Sequence, residues 1–316
     1  MTGAIDGSGF SRLLQISPIA VVAEAREGLS HAVTCRVGAL EVVALSDGYI
    51  DIPPGVFVAA DASLLQPART AALPSVAVRT SVSCFLVRDT GCNVLVDTGM
   101  GHLAGPTMGH LQKSLALAGV SPMEVTDIVL THLHRDHCGG LLTADGTCAF
   151  PNATVHVHSR EFGYWMDESR KAGAREETKR FFESAQRAMA AVAGRVSCFD
   201  DDELIGPLSV KCLAGHTPGH SGFLLVSAGV TLLIWGDIVH CAPIQIGNTA
   251  IGVAFDSDLV QAARVRDAVL RDAATAGWWI AGAHLPFPGI GNITLRNAGS
   301  FEYVPIAGDA GATGGM

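Results

Sequence analysis

Short apolar runs and amphipathic stretches alternate along the chain, and turn residues separate them. His31–Ser46 alternates as paired strands, and a Gly/Pro-rich loop, DGYIDIPPGVF, follows. Residues 60–76 read as a helical or irregular connection. Ser83–Arg88 and Asn93–Val96 are two strands about an Asp89-Thr90-Gly91 turn. Pro106–Gly119 has helical spacing and stops at glycine, and Ser121 with Glu124 forms a capping-box pattern for a short helix. Ile128–Leu130, Thr154–Val157, Val210–Leu213, Phe223–Val226, Val230–Trp235, Trp278–Ala281 and Glu302–Pro305 read as strands. Residues 160–192 form the longest helical stretch, and Asp258–Ala276 is a second helix with Gly277 placed to end it. Strands and helices thus interleave in both halves, giving an α/β chain.

Composition narrows the function classes. The 316 residues are 48% hydrophobic and 16% charged, enough for a large core. A net charge of −9, with Lys and Arg scattered, argues against a nucleic-acid partner. No run approaches the roughly 18 apolar residues of a membrane span. Residues 1–30 read as an N-terminal arm without a basic leader, so a cytoplasmic location is expected, with the periplasm as the alternative if a leader has been removed. The eight cysteines form no CxxC pair and are expected to be mostly buried thiols.

The candidate chemistry sits at strand ends. Thr131-His132-Leu133-His134-Arg135-Asp136-His137 places three imidazoles and a carboxylate within six positions after an apolar strand. On a loop such residues can face one cavity and serve two adjacent metal ions. His216 follows another strand within GHTPGH, Asp237 ends VTLLIW-G, and His284 follows WWIAGA. Each of the last three alone has a bland explanation as a turn residue; four strand ends delivering acid or imidazole do not. His220 and His240 are expected to be structural or supporting, as are His156 and His158. Cys138 reads as a small buried residue. Among Trp165, Trp235 and Phe287, Phe287 is the best candidate to line a substrate pocket, and Trp235 belongs to the core.

In this order, HxHxDH, GHTPGH, GD and a late His, together with Leu95-Val96-Asp97-Thr98-Gly99, the sequence resembles the metallo-β-lactamase superfamily over about residues 40–305. The resemblance implies a four-layer αβ/βα sandwich over residues 31–306, with a Gly-rich tail at 307–316 expected to be flexible. It implies that His132, His134 and His216 bind one metal, that Asp136, His137 and His284 bind a second, and that Asp237 bridges them. Asp97 falls where the family has a supporting rather than a ligating Asp. A cysteine near the Asp237 position would mark the thiolate-using β-lactamases, and an acid at His134 the flavodiiron branch; neither is present. Finer pieces are similar to the methyl parathion hydrolase group: Ser46-Asp47-Gly48, GHLAGPTMGHL, Asp237-Ile238-Val239-His240, Phe255-Asp256-Ser257-Asp258 and HLPFPGIG from His284. They imply hydrolysis of a lactone, aryl ester or organophosphate triester by a metal-bridging hydroxide, with Asp136 and Asp237 in the catalytic roles. Two divalent ions are implied, zinc by default, with manganese, cobalt or iron as alternatives, and a homodimer. The competing expectations are a thioesterase of the glyoxalase II kind and a non-catalytic metal-binding protein. The first is disfavoured because the 32 residues after His284 hold one basic residue, Arg296. The second is disfavoured because all seven ligand positions are filled.

Overall fold

The computed structural model describes residues 31–59, 76–103, 105–296 and 300–306. The expected arm, the Gly-rich tail and nearly all of the 60–76 connection lie outside the described residues.

Two seven-stranded mixed sheets lie face to face. In the first the order is β1 (Ala32–Val37), β2 (Leu40–Ile52), β4 (Val78–Asp89), β5 (Cys92–Val96), β6 (Asp127–Val129), β7 (Thr154–His158) and β8 (Val196–Phe199). Its first four strands are antiparallel, and β5 through β8 run parallel. In the second the order is β16 (Phe301–Pro305), β15 (Ile290–Leu295), β14 (Trp279–Ala281), β12 (Val230–Ile234), β11 (Ser221–Ser227), β10 (Leu208–Cys212) and β9 (Leu204–Ile205), where only β12 and β14 pair in parallel. A two-stranded ribbon joins β3 (Phe57–Ala59) to β13 (Ile251–Val253).

The period of two along each strand explains the layers. Val42 and Ala44, with Val94 and Val96, face the inter-sheet core, where they meet Phe223, Leu225, Leu232 and Ile234. Val43, Leu45, Leu95 and Ile128 point the other way, onto helices α1 (Leu111–Leu117) and α5 (Glu176–Ala191). On the far side Leu233 and Ile280 pack against Val269, Leu270 and Ala273 of α7 (Leu259–Ala276). Strands buried on both faces are near-continuous apolar runs, as the sequence is here. The result is the helix–sheet–sheet–helix sandwich expected from the resemblance.

Several elements differ from the sequence expectation. The Gly/Pro-rich segment after Ser46 is a loop only in its second half: β2 runs through the first half to Ile52, kinked by a bulge between Ser46 and Gly48, and the chain turns at residues 53–56 before β3. The 160–192 stretch is three helices, α3 (Ser159–Trp165), α4 (Glu168–Gly173) and α5, because the Asp167 side chain caps a new start by accepting from the backbone N–H of Ser169 and Arg170. The 106–119 helix begins only at Leu111. Strands β8, β9 and β15 and the ribbon were not anticipated. The capping box at Ser121 and Glu124 forms, and Asp258 and Gly277 bound α7 as expected, with Gly277 left-handed at φ 66°. Four cysteines are buried, three are half-buried and Cys198 is exposed; all eight are free thiols. Among the described residues no helix is long and apolar enough to cross a membrane.

Candidate metal centre

Parallel pairing decides where the chemistry gathers. β5 and β6 run side by side in one sheet and β12 and β14 in the other, so the loops after all four leave the same edge of the sandwich. Those loops carry Asp97, the 131–137 segment, Asp237 and His284. The segment after β10 adds His216. At Gly236 the backbone turns with φ 57°, and a Cβ there would stand 2.6 Å from His220 Nε2 and 2.9 Å from Thr131 Cβ, so only glycine lets the two loops close on each other.

All seven expected ligand residues come together. One ligand atom each from His132, His134, His216 and Asp237 lies within 4.8 Å of the others, and the same holds for Asp136, His137 and His284. His134 Nδ1 is 3.0 Å from His216 Nε2, and Asp237 Oδ2 is 3.4 Å from His216 Nε2 and 3.7 Å from His132 Nε2. On the other side, His284 Nε2 is 3.4 Å from Asp136 Oδ2 and 3.3 Å from Asp237 Oδ2, and His137 Nε2 is 3.1 Å from Asp237 Oδ1. Ligand atoms arranged tetrahedrally at zinc-type bond lengths stand about 3.3 Å apart. His132 Nε2, His137 Nε2 and Asp237 Oδ1 are buried without a hydrogen-bond partner. An orphaned donor or acceptor costs about 1–3 kcal/mol, and a cation at the centre removes that cost for all three.

The outward ring nitrogens are tied down. Asp97 holds His137 Nδ1 at 2.8 Å while accepting from the Thr131 N–H and hydroxyl, each at 2.8 Å. Asp256 holds His216 Nδ1 at 2.7 Å. The Ser81 carbonyl accepts from His284 Nδ1 at 2.8 Å. Each bond fixes a tautomer that leaves the inward nitrogen its lone pair. Glu161, fully buried on α3, accepts from the backbone N–H of Leu133 and of Gly219 and from Trp165 Nε1, so one carboxylate joins two histidine loops.

The electrostatics favour a cation. Burial would raise the Asp237 carboxyl, but the imidazoles of His137, His284, His240 and His132 hold it well below the usual carboxylate range. Burial pushes His132 and His134 well below the ordinary imidazole value. Against the same burial, Asp237 and its neighbouring carboxylates pull His216 up to about 9 and His284 up to about 10. The pocket thus stabilises positive charge, which ligated dications would supply in place of those protons.

The other candidates divide. His156 pairs with Asp127 and His158 with Asp201, away from the centre. His220 donates from Nδ1 to the Leu213 carbonyl and accepts the Asp237 backbone N–H at Nε2, the supporting role expected of it. Cys138 is buried, and its thiol donates to the Leu133 carbonyl. Trp235 and Trp165 are core residues, although Trp165 also edges His134. His240 departs from expectation: it joins Asp237 and His284 in a third close group. Sequence reasoning also missed Glu161, Phe181 and the partnership of Asp256 with His216; only Phe255-Asp256 carried a signal, as one of the quoted matches.

Two cavities meet at the centre. One, of about 400 Å³, exposes Asp136, Asp237, His240 and His284 between Phe181 and Phe255. The other, of about 670 Å³ and mostly apolar, holds Phe287 and shares Thr107 and His284 with the first.

Known proteins share this architecture. Similar solved structures include the hydrolase AbOPH of the β-lactamase superfamily, with a TM-score of 0.81 and 29% identity over 90% of this chain and 100% of that one. They also include AidC, a dizinc quorum-quenching lactonase, with a TM-score of 0.78 and 26% identity over 88% of this chain and 98% of that one. The N-acyl homoserine lactonase AttM of Azorhizobium caulinodans is 34% identical over 107 residues, which span 34% of this chain but only 38% of that relative. The family model of the metallo-β-lactamase superfamily matches residues 77–284, from β4 to the last histidine of the centre, and with that match the chain belongs to the metallo-β-lactamase superfamily and is a metal-dependent hydrolase.

Proposed function

We propose that this hydrolase is dinuclear and cleaves small lactones, aryl esters or organophosphate triesters. One observation carries the reading: the oxygens of Asp237 lie against imidazoles of both ligand groups, Oδ1 beside His137 and Oδ2 beside His216 and His284. In this reading His132, His134, His216 and Asp237 hold one divalent ion, and Asp136, His137, His284 and Asp237 hold the other. The imidazole-rich set suits zinc, and manganese, cobalt and iron also accept such ligands. When bound, such a pair supplies Lewis acidity and makes hydroxide available at neutral pH.

The chain's own residues do the rest. Asp97, Asp256 and the Ser81 carbonyl keep the ligand rings aimed. Asp136, whose carboxyl is held low by His137 and His284 in spite of its burial, stays ionised, so it can hold its ion and accept a hydrogen bond that orients the attacking water. Phe181 and Phe255 give the smaller cavity apolar walls that exclude bulk water, and the larger cavity offers Phe287 to an apolar substituent. Support for a lactone substrate comes from AttM and AidC, and support for a phosphotriester from AbOPH.

The test counts metal per chain and assays one preparation on dihydrocoumarin, an acyl homoserine lactone and an organophosphate triester, with Asp237→Ala as control. About two ions per chain, as a paired-metal site requires, and turnover that vanishes in the control are expected. One ion per chain, or turnover that survives in Asp237→Ala, refutes the dinuclear reading.

A further inference from the structure

His240 stands close to Asp237 and His284, yet the two groups formed by the seven expected ligands are complete without it, and its ring takes no part in the supporting hydrogen bonds. It is buried, yet neither ring nitrogen has a hydrogen-bond partner. The contrast with three other non-ligand histidines is sharp, because His220, His156 and His158 are all partnered. Leaving a buried donor unpaired costs about 1–3 kcal/mol, so such a group in a native fold points to a partner that arrives later.

The rest of the residue is held firmly. Its backbone N–H donates to Gln245 Oε1 at 2.6 Å, and Gln245 Nε2 in turn donates to the Ile251 carbonyl. Its carbonyl lies 3.0 Å from Thr80 Oγ1, and the same hydroxyl is 2.5 Å from the His284 carbonyl, so one side chain ties the two histidines together. The ring stacks on His284 with centroids 5.2 Å apart at 20°, and its other neighbours are Phe255 and His216. Nε2 reaches within 3.1 Å of Asp237 Oδ2 but is not aligned to bond it. The seven other residues already make two complete ligand groups around Asp237. His240 is therefore a pinned ring at the cavity wall, facing the reaction centre with a free donor.

We propose that His240 is a catalytic residue that donates a hydrogen bond to the substrate oxygen that gains negative charge during hydrolysis. The assignment rests on the hydrolase reading above. An imidazole carries at least one N–H in every protonation state it adopts here, and a donor held in place before the reaction stabilises developing charge without reorganising. The donor is distinct from the ligands, so its removal should change turnover and leave the metals alone.

The experiment compares wild type, His240→Leu and His240→Gln, each loaded with zinc for kinetics and with cobalt(II) for its visible spectrum. In His240→Leu, metal stoichiometry and the cobalt spectrum should match wild type, while kcat falls about 100-fold. KM should stay within about threefold, the split expected for an interaction made only in the transition state. His240→Gln, which keeps an N–H donor, should recover about tenfold of the loss. If His240→Leu does not fold, the Gln variant and His240→Asn carry the same comparison. A lost ion or altered cobalt spectrum would make His240 a ligand and overturn the assignment, as would unchanged kcat. A wild type that binds metal and turns over while the Leu variant matches it sinks this inference alone; a wild type with neither metal nor turnover sinks the hydrolase reading with it.

Discussion

Asp97 offers the sharpest test of how the fold prepares the centre. Three donors converge on its carboxylate: the Thr131 N–H on Oδ1, and the Thr131 hydroxyl and His137 Nδ1 on Oδ2, all at 2.8 Å. Its backbone is left-handed, with φ 60°. Asp97→Ala would mix lost hydrogen bonds with backbone strain, whereas asparagine tolerates that conformation nearly as well as aspartate. Asp97→Asn thus isolates the electrostatics. An amide offers one acceptor oxygen and one NH2. If the NH2 takes the Oδ1 position it meets the Thr131 N–H donor to donor, at a cost of about 1–3 kcal/mol. If it takes the Oδ2 position it donates to His137 Nδ1, which moves that ring's proton to Nε2 and closes the lone pair facing Asp237 and Asp136. Either way the His137 side weakens. Loss of a ligand-orienting partner costs about 10–100-fold in metal affinity, or about 1.4–2.8 kcal/mol. Chelator competition should therefore show one weakened binding step while the step assigned to His132, His134 and His216 holds, and metal should raise the melting temperature less than in wild type. Wild-type affinity in both steps would refute the claim that Asp97 sets the His137 tautomer.

Glu161→Gln should destabilise the fold by about 1–3 kcal/mol in urea unfolding, because one acceptor oxygen cannot serve the Leu133, Gly219 and Trp165 donors together; an unchanged midpoint would remove Glu161 as the joint between the histidine loops. Arg266, buried in α7 and pushed down to about 10 by burial, donates to the carbonyls of Ile238, Thr249 and Ile251. Arg266→Met orphans the Ile238 and Thr249 carbonyls, leaves Ile251 with the Gln245 amide alone, and should cost about 2–4 kcal/mol even after the relief of burying a charge. A more stable Met variant in the same unfolding assay would show that the burial penalty outweighs the three bonds.

What was legible in the chain was what local pattern controls. Apolar runs followed at once by His or Asp marked the strand ends, and the parallel pairing of β5 with β6 and of β12 with β14 carried those ends to one edge. The capping residues Ser121 and Asp258 stood where the chain itself supplied the orphan N–H groups. The misses share a cause. β2 runs on through a turn-rich segment because β4 offers it a ladder of backbone partners, and no local preference records that. Glu161 looks like any helix-surface acid until Leu133 and Gly219, 28 and 58 positions away, turn their N–H groups toward it. His240 differs from His220 only in what reaches its ring: His220 finds a carbonyl and a backbone N–H, and His240 finds none. Sequence reveals a residue's chemical type, but whether that chemistry is already satisfied is a property of the fold. At this centre atoms of His132, His137, Asp237 and His240 are left without a partner where a substrate and its metals would sit, and an unpaired buried atom there points to function in a way that residue type alone does not.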